Sequence, residues 1–208
     1  MSANEDTKTF QPFSKLPPSL VPTSLQVMKY TGNFVVITSD NKSFDWAAFK
    51  NSINSYTGDD LTFDKYKHTT IARSEATVKV MVDKIVKFLL DALSVVIDTV
   101  ELAATIEATF TNLKTAKSNG WADWSKSSTS SNSSWEYRIL FAVPNPDLTE
   151  FFYSLVTTIK LEADIEEESS WWGLVSSSSK NFSATIDAME LVVMKGFRDP
   201  LQNSLRRT

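Results

Sequence analysis

The stretch Ser74–Gly120 determines the predicted fold: SEATVKVMVDKIVKFLLDALSVVIDTVELAATIEATFTNLKTAKSNG. It has no proline, and its single glycine is its last residue. Apolar side chains recur in it at the three- and four-residue spacing of one helix face. They are Val78, Met81, Ile85, Phe88, Leu89, Ala92, Val96 and Val100, and Val82, Val86, Leu90, Leu93 and Ile97 widen the stripe. The pattern predicts helix that is apolar over most of its circumference.

The length of this stretch predicts two helices rather than one. A single helix would extend for about 65 Å, whereas a compact domain of this size has a radius of gyration of about 17 Å. We therefore expect a turn between Leu93 and Asp98. Asp98-Thr-Val-Glu101 has the spacing of a capping box and would begin the second helix.

The ends of the hairpin carry recognisable signals. Ser74 is a good N-cap, and Glu75 would lie in the first turn, where a negative charge suits the helix dipole. Lys114 and Lys117 would lie in the last turn, and Asn119-Gly120 would provide a left-handed stop.

Two interpretations of the hairpin remain open. In the first, the hairpin is a helix layer packed on a sheet, which is the usual reason for an apolar stripe. In the second, the stripe contacts lipid or a neighbouring subunit. The longest uncharged run, Ala92–Ile97, is far shorter than the ~20 residues of a spanning helix. These helices could lie on a membrane but could not cross it as single apolar spans.

Composition limits the function classes. The chain has 208 residues, enough for one domain with a sizeable core, and a net charge of −4. That charge argues against a dedicated nucleic-acid binder and against recognition of anionic lipid by bulk charge. There is no cysteine, so neither a disulfide framework nor a thiolate metal site is possible. Met1–Lys15 lacks the apolar core of a signal peptide.

The region 121–195 predicts long strands. Three segments alternate apolar and polar residues: Trp135–Val143, Phe151–Ile165 and Asn181–Met194. Trp121–Lys126 is a shorter candidate. Short connections predict an antiparallel meander with one face under the helices. Each long strand reaches the about 9–11 residues of a membrane-spanning strand.

The region before the hairpin is less strongly patterned. Met1–Ser19 is expected to be a loose arm. Thr23–Tyr30 is ambiguous between helix and strand, and Asn33–Thr38 resembles a strand. Ser43–Tyr56 predicts a short amphipathic helix with Ser43 as its cap, and Leu61–Ile71 could hold a short strand.

Residues that would indicate an enzyme are few. His68 is the only histidine, and in its polar stretch a surface position is expected. Glu166, Glu167 and Glu168 are adjacent, which indicates a solvated turn. There is no phosphate loop, nucleophile elbow or metal-ligand spacing. We expect no enzyme, no metal and no cofactor.

Several segments in a fixed order resemble the Cyt-type δ-endotoxins and, in length and character, the fungal volvatoxin-type cardiotoxins related to them. The segments are Val21-Pro22-Thr23-Ser24, Thr109–Leu113, Trp121, Trp124, Lys126, Tyr137 and Ile139–Ala142. The resemblance implies a single three-layer α/β domain of the α+β type, with helix hairpins on both faces of a largely antiparallel sheet. It implies a toxin that is soluble before it binds membrane phospholipid, oligomerises and lyses cells after its release. Its helices would leave the sheet so that long strands enter the bilayer, although some members are thought to act like detergents.

The predicted site residues form four sets. Membrane insertion is assigned to Ile139, Phe141, Phe151, Tyr153, Leu155, Ile159, Phe182 and Ile186. The helix layer and oligomerisation are assigned to Ile85, Leu89, Leu93 and Val96. Interfacial anchoring is assigned to Trp121, Trp124, Trp171 and Trp172, and binding of a sulfated glycan to Lys195, Arg198, Arg206 and Arg207. The alternative functions are a non-lytic lipid- or glycan-binding module and, with less support, a hydrolase.

Overall fold

The computed structural model describes residues 10–12, 16–37, 42–94, 97–114, 122–126 and 132–202. The helices are α1 (Val21–Gly32), α2 (Trp46–Asn54), α3 (Val78–Ala92), α4 (Thr99–Thr111) and the short α5 (Glu168–Trp171). The strands are β1 (Phe10–Pro12), β2 (Val35–Ile37), β3 (Lys42–Phe44), β4 (Leu61–Thr77), β5 (Ala122–Lys126), β6 (Ser133–Pro144), β7 (Phe151–Ala163) and β8 (Ser179–Met194).

The centre of the molecule is a sheet in the order β1-β6-β7-β8-β4, with β5 also paired to β6. The pairs β6–β7, β7–β8 and β8–β4 are antiparallel, whereas β1 lies parallel to β6. The predicted meander of three long strands is confirmed, with lengths of 12, 13 and 16 residues. β2 and β3 form a separate two-stranded sheet.

The sheet is covered on both faces, so the residue-based prediction of one covered face was wrong, whereas the fold class implied by the resemblance is confirmed. α3 and α4 pack on one face, and α1 and α2 pack on the other. Both faces carry apolar side chains because β6–β8 contain a second apolar set between the residues of the first. That second set includes Leu140, Ala142, Phe152, Val156, Leu191 and Val193.

The hairpin turns where the sequence predicts, since α3 ends at Ala92 and α4 begins at Thr99. The side chain of Asp98 accepts hydrogen bonds from the amides of Val100 and Glu101, as an N-cap does.

The predicted ends of the hairpin differ from those observed. Ser74 and Glu75 belong to β4 because this strand continues its pairing with β8 as far as Thr77. Thr77 is the N-cap, and its hydroxyl accepts from the amide of Val80 at 3.2 Å. α4 ends at Thr111, before Lys114, while Lys117 and Asn119-Gly120 lie outside the described residues.

Four predictions for the N-terminal third are revised or resolved. Thr23–Tyr30 is helical within α1, and α2 is capped by Asp45 rather than Ser43. The short strand expected in Leu61–Ile71 is a 17-residue edge strand, β4. Within the predicted arm, residues 10–12 form β1, whereas residues 1–9 and 13–15 lie outside the described part of the chain.

Candidate functional site

The candidate site is the sheet surface beneath α3 and α4, which we call the hairpin face. Side chains of β6, β7 and β8 that alternate along the strands form a continuous apolar layer there. Its buried apolar members are Trp135, Tyr137, Ile139, Phe141, Val143, Leu155, Ile159, Leu161, Ala163, Phe182, Ala184, Ile186 and Ala188. Directly opposed residues of an antiparallel sheet lie on the same face, so the pairs Phe141–Leu155 and Ile159–Ile186 fix this surface.

The eight residues predicted for insertion all lie on the hairpin face. Six are buried in the core under α3 and α4: Ile139, Phe141, Leu155, Ile159, Phe182 and Ile186. Tyr153 packs at its edge, and Phe151, which pairs with Met194 at the end of β7, is half-buried. The strand register therefore brings together residues that are up to 47 positions apart in the sequence.

The cover of this face is apolar and closely packed. Ile85 and Leu89 of α3 are fully buried, and Leu93 at the turn is 8% exposed. Phe110 of α4 stands edge-on to Phe182. Val96, the fourth residue predicted for this layer, lies outside the described residues.

The opposite surface, the α1–α2 face, is apolar at one end and polar at the other. Its polar half is formed by Ser134, Glu136, Arg138, Thr158, Lys160, Glu162, Ser183, Thr185 and Asp187. The Trp46 indole donates to the Thr158 hydroxyl at 2.8 Å, and Arg138 donates to the Thr31 hydroxyl at 2.7 Å. Burial lowers the pKa of Arg138 to about 10. The two faces of the same strands thus differ in polarity along half of their length.

Three buried polar atoms of the hairpin face lack hydrogen-bond partners among the described residues: Trp135 Nε1, Thr157 Oγ1 and Glu190 Oε1. A buried donor or acceptor that is left unsatisfied costs about 1–3 kcal/mol. The interface between sheet and hairpin therefore contains defects that weaken it.

A carboxyl pair lies at the hairpin turn. Glu190 of β8 is fully buried, and its Oε2 accepts from the amide of Ser94 at 2.9 Å. The hydroxyl of the same serine donates to Asp64 Oδ2 at 2.9 Å. Burial and the neighbouring Asp64 raise the pKa of Glu190, and the hydrogen bond between the two carboxyls lowers the pKa of Asp64. Sequence reasoning missed this pair, although Glu190 is an acidic residue in an otherwise apolar row.

Trp171 and Trp172, two of the four predicted anchor tryptophans, occupy different environments. Trp171 is fully buried and its indole donates to Ser133 Oγ at 2.7 Å, so it cannot contact a membrane in this conformation. Trp172 is 39% exposed, and the Lys114 ammonium lies 5.2 Å from its ring centroid. Trp124 lies in β5 opposite Trp135, and Trp121 is outside the described residues.

The predicted basic set is only partly described. Lys195 forms a 3.4 Å ion pair with Glu150. Arg198 lines a cavity of about 380 Å³ together with Pro22, Thr23, Gln26, Gly196, Phe197 and Gln202. Arg206 and Arg207 lie outside the described residues.

His68 is exposed, as predicted, and its Nδ1 lies 2.9 Å from Asp187 Oδ1. Among the described residues, no three histidine, cysteine, aspartate or glutamate side chains are grouped as a metal site. Within the same ranges, every helix is too short or too polar to cross a bilayer.

The fold and the hairpin face define a class: single-domain α+β proteins in which helices cover both faces of an antiparallel sheet. Two solved structures share this architecture. A delta-endotoxin matches with a TM-score of 0.79 at 21% identity, over 98% of this chain and 89% of that one. An activated Cyt2Ba monomer from Bacillus thuringiensis subsp. israelensis matches with a TM-score of 0.76 at 17% identity, over 89% and 98%.

Sequence comparison identifies the family. The family model described as Bacillus thuringiensis toxin matches residues 1–203, and the chain therefore belongs to that family. The Type-2Aa cytolytic delta-endotoxin of B. thuringiensis subsp. kyushuensis is 26% identical over 132 residues, 62% of this chain and 50% of that protein. The Type-1Ba cytolytic delta-endotoxin of subsp. neoleoensis is 34% identical over 83 residues, 38% of this chain and 31% of that protein. The chain thus matches about half the length of these relatives or less. The Cyt-type resemblance is confirmed.

Proposed function

We propose that this protein is a pore-forming cytolysin that binds membrane phospholipid, oligomerises and inserts β6–β8 after the α3–α4 hairpin leaves the sheet. The observation that carries this proposal is the hairpin face: a broad apolar surface on three long strands, interrupted by Thr157 and Glu190, under a cover of two helices. Lipid can replace that cover, because both bury the same apolar side chains. The backbone of the strands stays hydrogen-bonded in lipid if several chains close a barrel.

The polarity of the two faces supports a specific orientation in the membrane. A transmembrane barrel is apolar towards lipid and polar towards its lumen. The hairpin face, with Ile139, Leu155 and Ile186, would contact lipid. The polar half of the α1–α2 face, with Thr158 and Thr185, would line the lumen after α1 and α2 move off it in turn.

The displaced hairpin also has a role in this proposal. α3 and α4 are apolar over a wide arc, and once freed they would rest on the membrane surface or on helices of neighbouring subunits. Ile85, Leu89 and Leu93 would then contribute to assembly.

First contact with lipid is proposed to occur through Trp172. Val175 and Val80, which are 56% and 43% exposed, lie near it, since the amide of Lys79 bonds to the carbonyl of Ser176. Tryptophan favours the boundary between headgroups and hydrocarbon. The Lys114 ammonium beside this ring can pair with the phosphate of a zwitterionic headgroup.

The proposal also includes the expectations from the sequence about release, site of action, catalysis and position within the family. We propose that the protein is released as a soluble form, acts at the membrane of a target cell and catalyses no reaction. Within its family we place it with the volvatoxin-type cardiotoxins on length and character.

The alternative is a non-lytic module that binds lipid or a sulfated glycan. The cavity beside Arg198 favours it, because a guanidinium pairs well with a sulfate or phosphate group. This alternative predicts binding to vesicles or heparin without leakage and without large oligomers.

A disulfide that ties the hairpin to the sheet tests the proposal. The chain has no cysteine, and Ser94 Oγ lies 2.9 Å from Asp64 Oδ2, so the double variant Ser94→Cys/Asp64→Cys brings two thiols close together, and thiol titration selects the variant protein in which they are oxidised to a disulfide. Dye release from phosphatidylcholine vesicles should be absent in the oxidised form and return on reduction, the same protein being its own control. Leakage from the fully oxidised form would refute hairpin displacement. An untied protein that causes no leakage at any dose would refute pore formation.

A further inference from the structure

A β-bulge brings two acidic side chains to one position at the hairpin turn. Phe63 pairs with Leu191 and Lys65 pairs with Glu190, so Asp64 is the extra residue of β4. Bulges commonly redirect a side chain. Here Asp64 and Lys65 together lie opposite the single residue Glu190.

Ser94 joins this pair to the hairpin. Its amide donates to Glu190 and its hydroxyl donates to Asp64, each at 2.9 Å. Ser94 comes two residues after the end of α3. Both hydrogen bonds therefore connect the turn of the hairpin to β4 and β8.

The second carboxyl oxygen of Glu190, Oε1, is buried and receives no hydrogen bond from a donor group of the described residues. The two carboxyls are close neighbours, because each accepts a 2.9 Å hydrogen bond from the same residue, Ser94. A proton on Glu190 that is donated to the Asp64 carboxylate satisfies the buried oxygen and removes one of two adjacent negative charges.

We propose that Asp64, Glu190 and Ser94 form a pH-sensitive latch that holds the α3–α4 hairpin on the sheet while one proton is shared and releases it when both carboxyls are ionised. Its consequence for lysis rests on the proposed function, since the hairpin must leave for the strands to insert. The latch itself concerns only the closed and open positions of the hairpin.

Among the described charged groups near the two carboxyls, Lys65 is the cation that offsets their negative charge. Lys65 of β4 lowers the pKa of both carboxyls through its charge. Lys67 donates to the carbonyl of Asp91 at 2.5 Å, and Asp98 accepts from amides of α4. Directly opposite on β7, Glu190 faces the apolar Leu155. A single half-buried lysine does not neutralise two carboxylates.

The direction of the pH effect follows from the raised pKa of Glu190. When the hairpin opens, Glu190 gains solvent and its pKa returns towards the ordinary glutamate value of about 4.3. Between this value and the higher pKa of the closed form, opening releases a proton. The ratio of open to closed hairpins therefore rises with pH by up to tenfold per unit in this window and levels off above it.

Distances between two spin labels measure hairpin opening without activity. Val100 and Leu148 are exposed, at 79% and 52%, and the chain has no competing cysteine. Val100 is the second residue of α4, just after the hairpin turn, and Leu148 lies in the β6–β7 turn near the same end of the sheet. The double variant Val100→Cys/Leu148→Cys, labelled with nitroxides in detergent-free buffer, should show a growing long-distance population as pH rises.

Glu190→Gln imitates the protonated side chain at every pH, because its amide donates to Asp64 and its carbonyl accepts from Ser94. In the labelled protein this variant should keep the hairpin closed and abolish the growth of the long-distance population with pH, which we call the pH step. Glu150→Gln, at an exposed acid near the same end, should leave the step unchanged. A distance distribution that does not vary with pH, or an equal step in Glu190→Gln, would overturn the latch.

The latch and the proposed function fail separately. Leakage that requires a free hairpin but no pH step in the distances would remove the latch alone. A pH step that Glu190→Gln abolishes, in a protein that never permeabilises vesicles, would leave the latch and remove the cytolysin.

Discussion

Phe110 of α4 packs edge-on against Phe182 of β8, with ring centroids 5.9 Å apart and ring planes at 90°. Both side chains are fully buried, and aromatic pairs of this geometry contribute about 0.5–1.5 kcal/mol beyond the area they bury. The contact links the cover to the strand that we propose inserts, so its strength should limit how easily the hairpin leaves.

Phe110→Ala should therefore weaken the hairpin and shorten the lag before vesicle leakage. A buried Phe→Ala change costs about 3–5 kcal/mol, which denaturant unfolding measures. Phe49→Ala is the matched control, because Phe49 of α2 is equally buried on the other face. It should lower the free energy of unfolding to a similar extent without shortening the lag. Equal shortening by both variants would show that general stability, not the hairpin, limits leakage.

Thr157→Val should stabilise the soluble form. The hydroxyl of Thr157 is buried on the hairpin face without a hydrogen-bond partner among the described residues, so its removal should raise the free energy of unfolding by about 1 kcal/mol. Thr158→Val is the matched control. The hydroxyl of Thr158, one residue later, has a partner, because it accepts a hydrogen bond from the Trp46 indole. That variant should lose stability, and a gain in both would show that burial rather than hydrogen bonding governs the two sites.

The free energy of unfolding should fall as pH rises above about 4.3, the ordinary glutamate pKa. The raised pKa of Glu190 stabilises the folded state below that value, and this contribution is lost as pH rises through the folded pKa. The loss is about 1.4 kcal/mol for each unit between the two values. Urea unfolding of Glu190→Gln across this range should lack the decline, and an identical decline in the variant would assign it to other groups.

Trp172→Ser should weaken binding to phosphatidylcholine vesicles about tenfold, as expected when a partly exposed indole no longer enters the interface. Val100→Ser is the control. Val100 is more exposed than Trp172, but it lies beside Asp98 and Glu101 at the other end of the hairpin. Sedimentation with vesicles measures the binding of both variants. A larger loss of binding in Val100→Ser would place first contact with lipid at the hairpin turn.

Strong periodicity made part of the fold predictable. The α3–α4 hairpin and β6–β8 were predicted because their apolar residues recur at helix and strand spacing. The capping residue Asp98 marks the start of α4. β4 was largely missed because it is an edge strand, and edge strands need few apolar residues. Ser74 was wrongly assigned as a cap because pairing with Phe182 continues β4 past it, which no local signal reveals.

The candidate site was predictable to a similar degree. Alternation placed all eight insertion residues on one face without knowledge of the register. The association of Asp64 with Glu190 was not predictable, since it depends on a bulge that shifts the register by one residue. Burial of Trp171 depends likewise on a distant partner, Ser133.

The insertion of β7 is tested most directly by labels on neighbouring residues. Single variants Ile159→Cys and Thr158→Cys, carrying the same fluorophore, place it on opposite faces of one strand. In the membrane-bound protein, a quencher attached to lipid chains should quench the label at 159, and an aqueous quencher should quench the label at 158. Equal protection of both labels from the lipid quencher would contradict insertion, because the sheet would then have kept both of its helix layers.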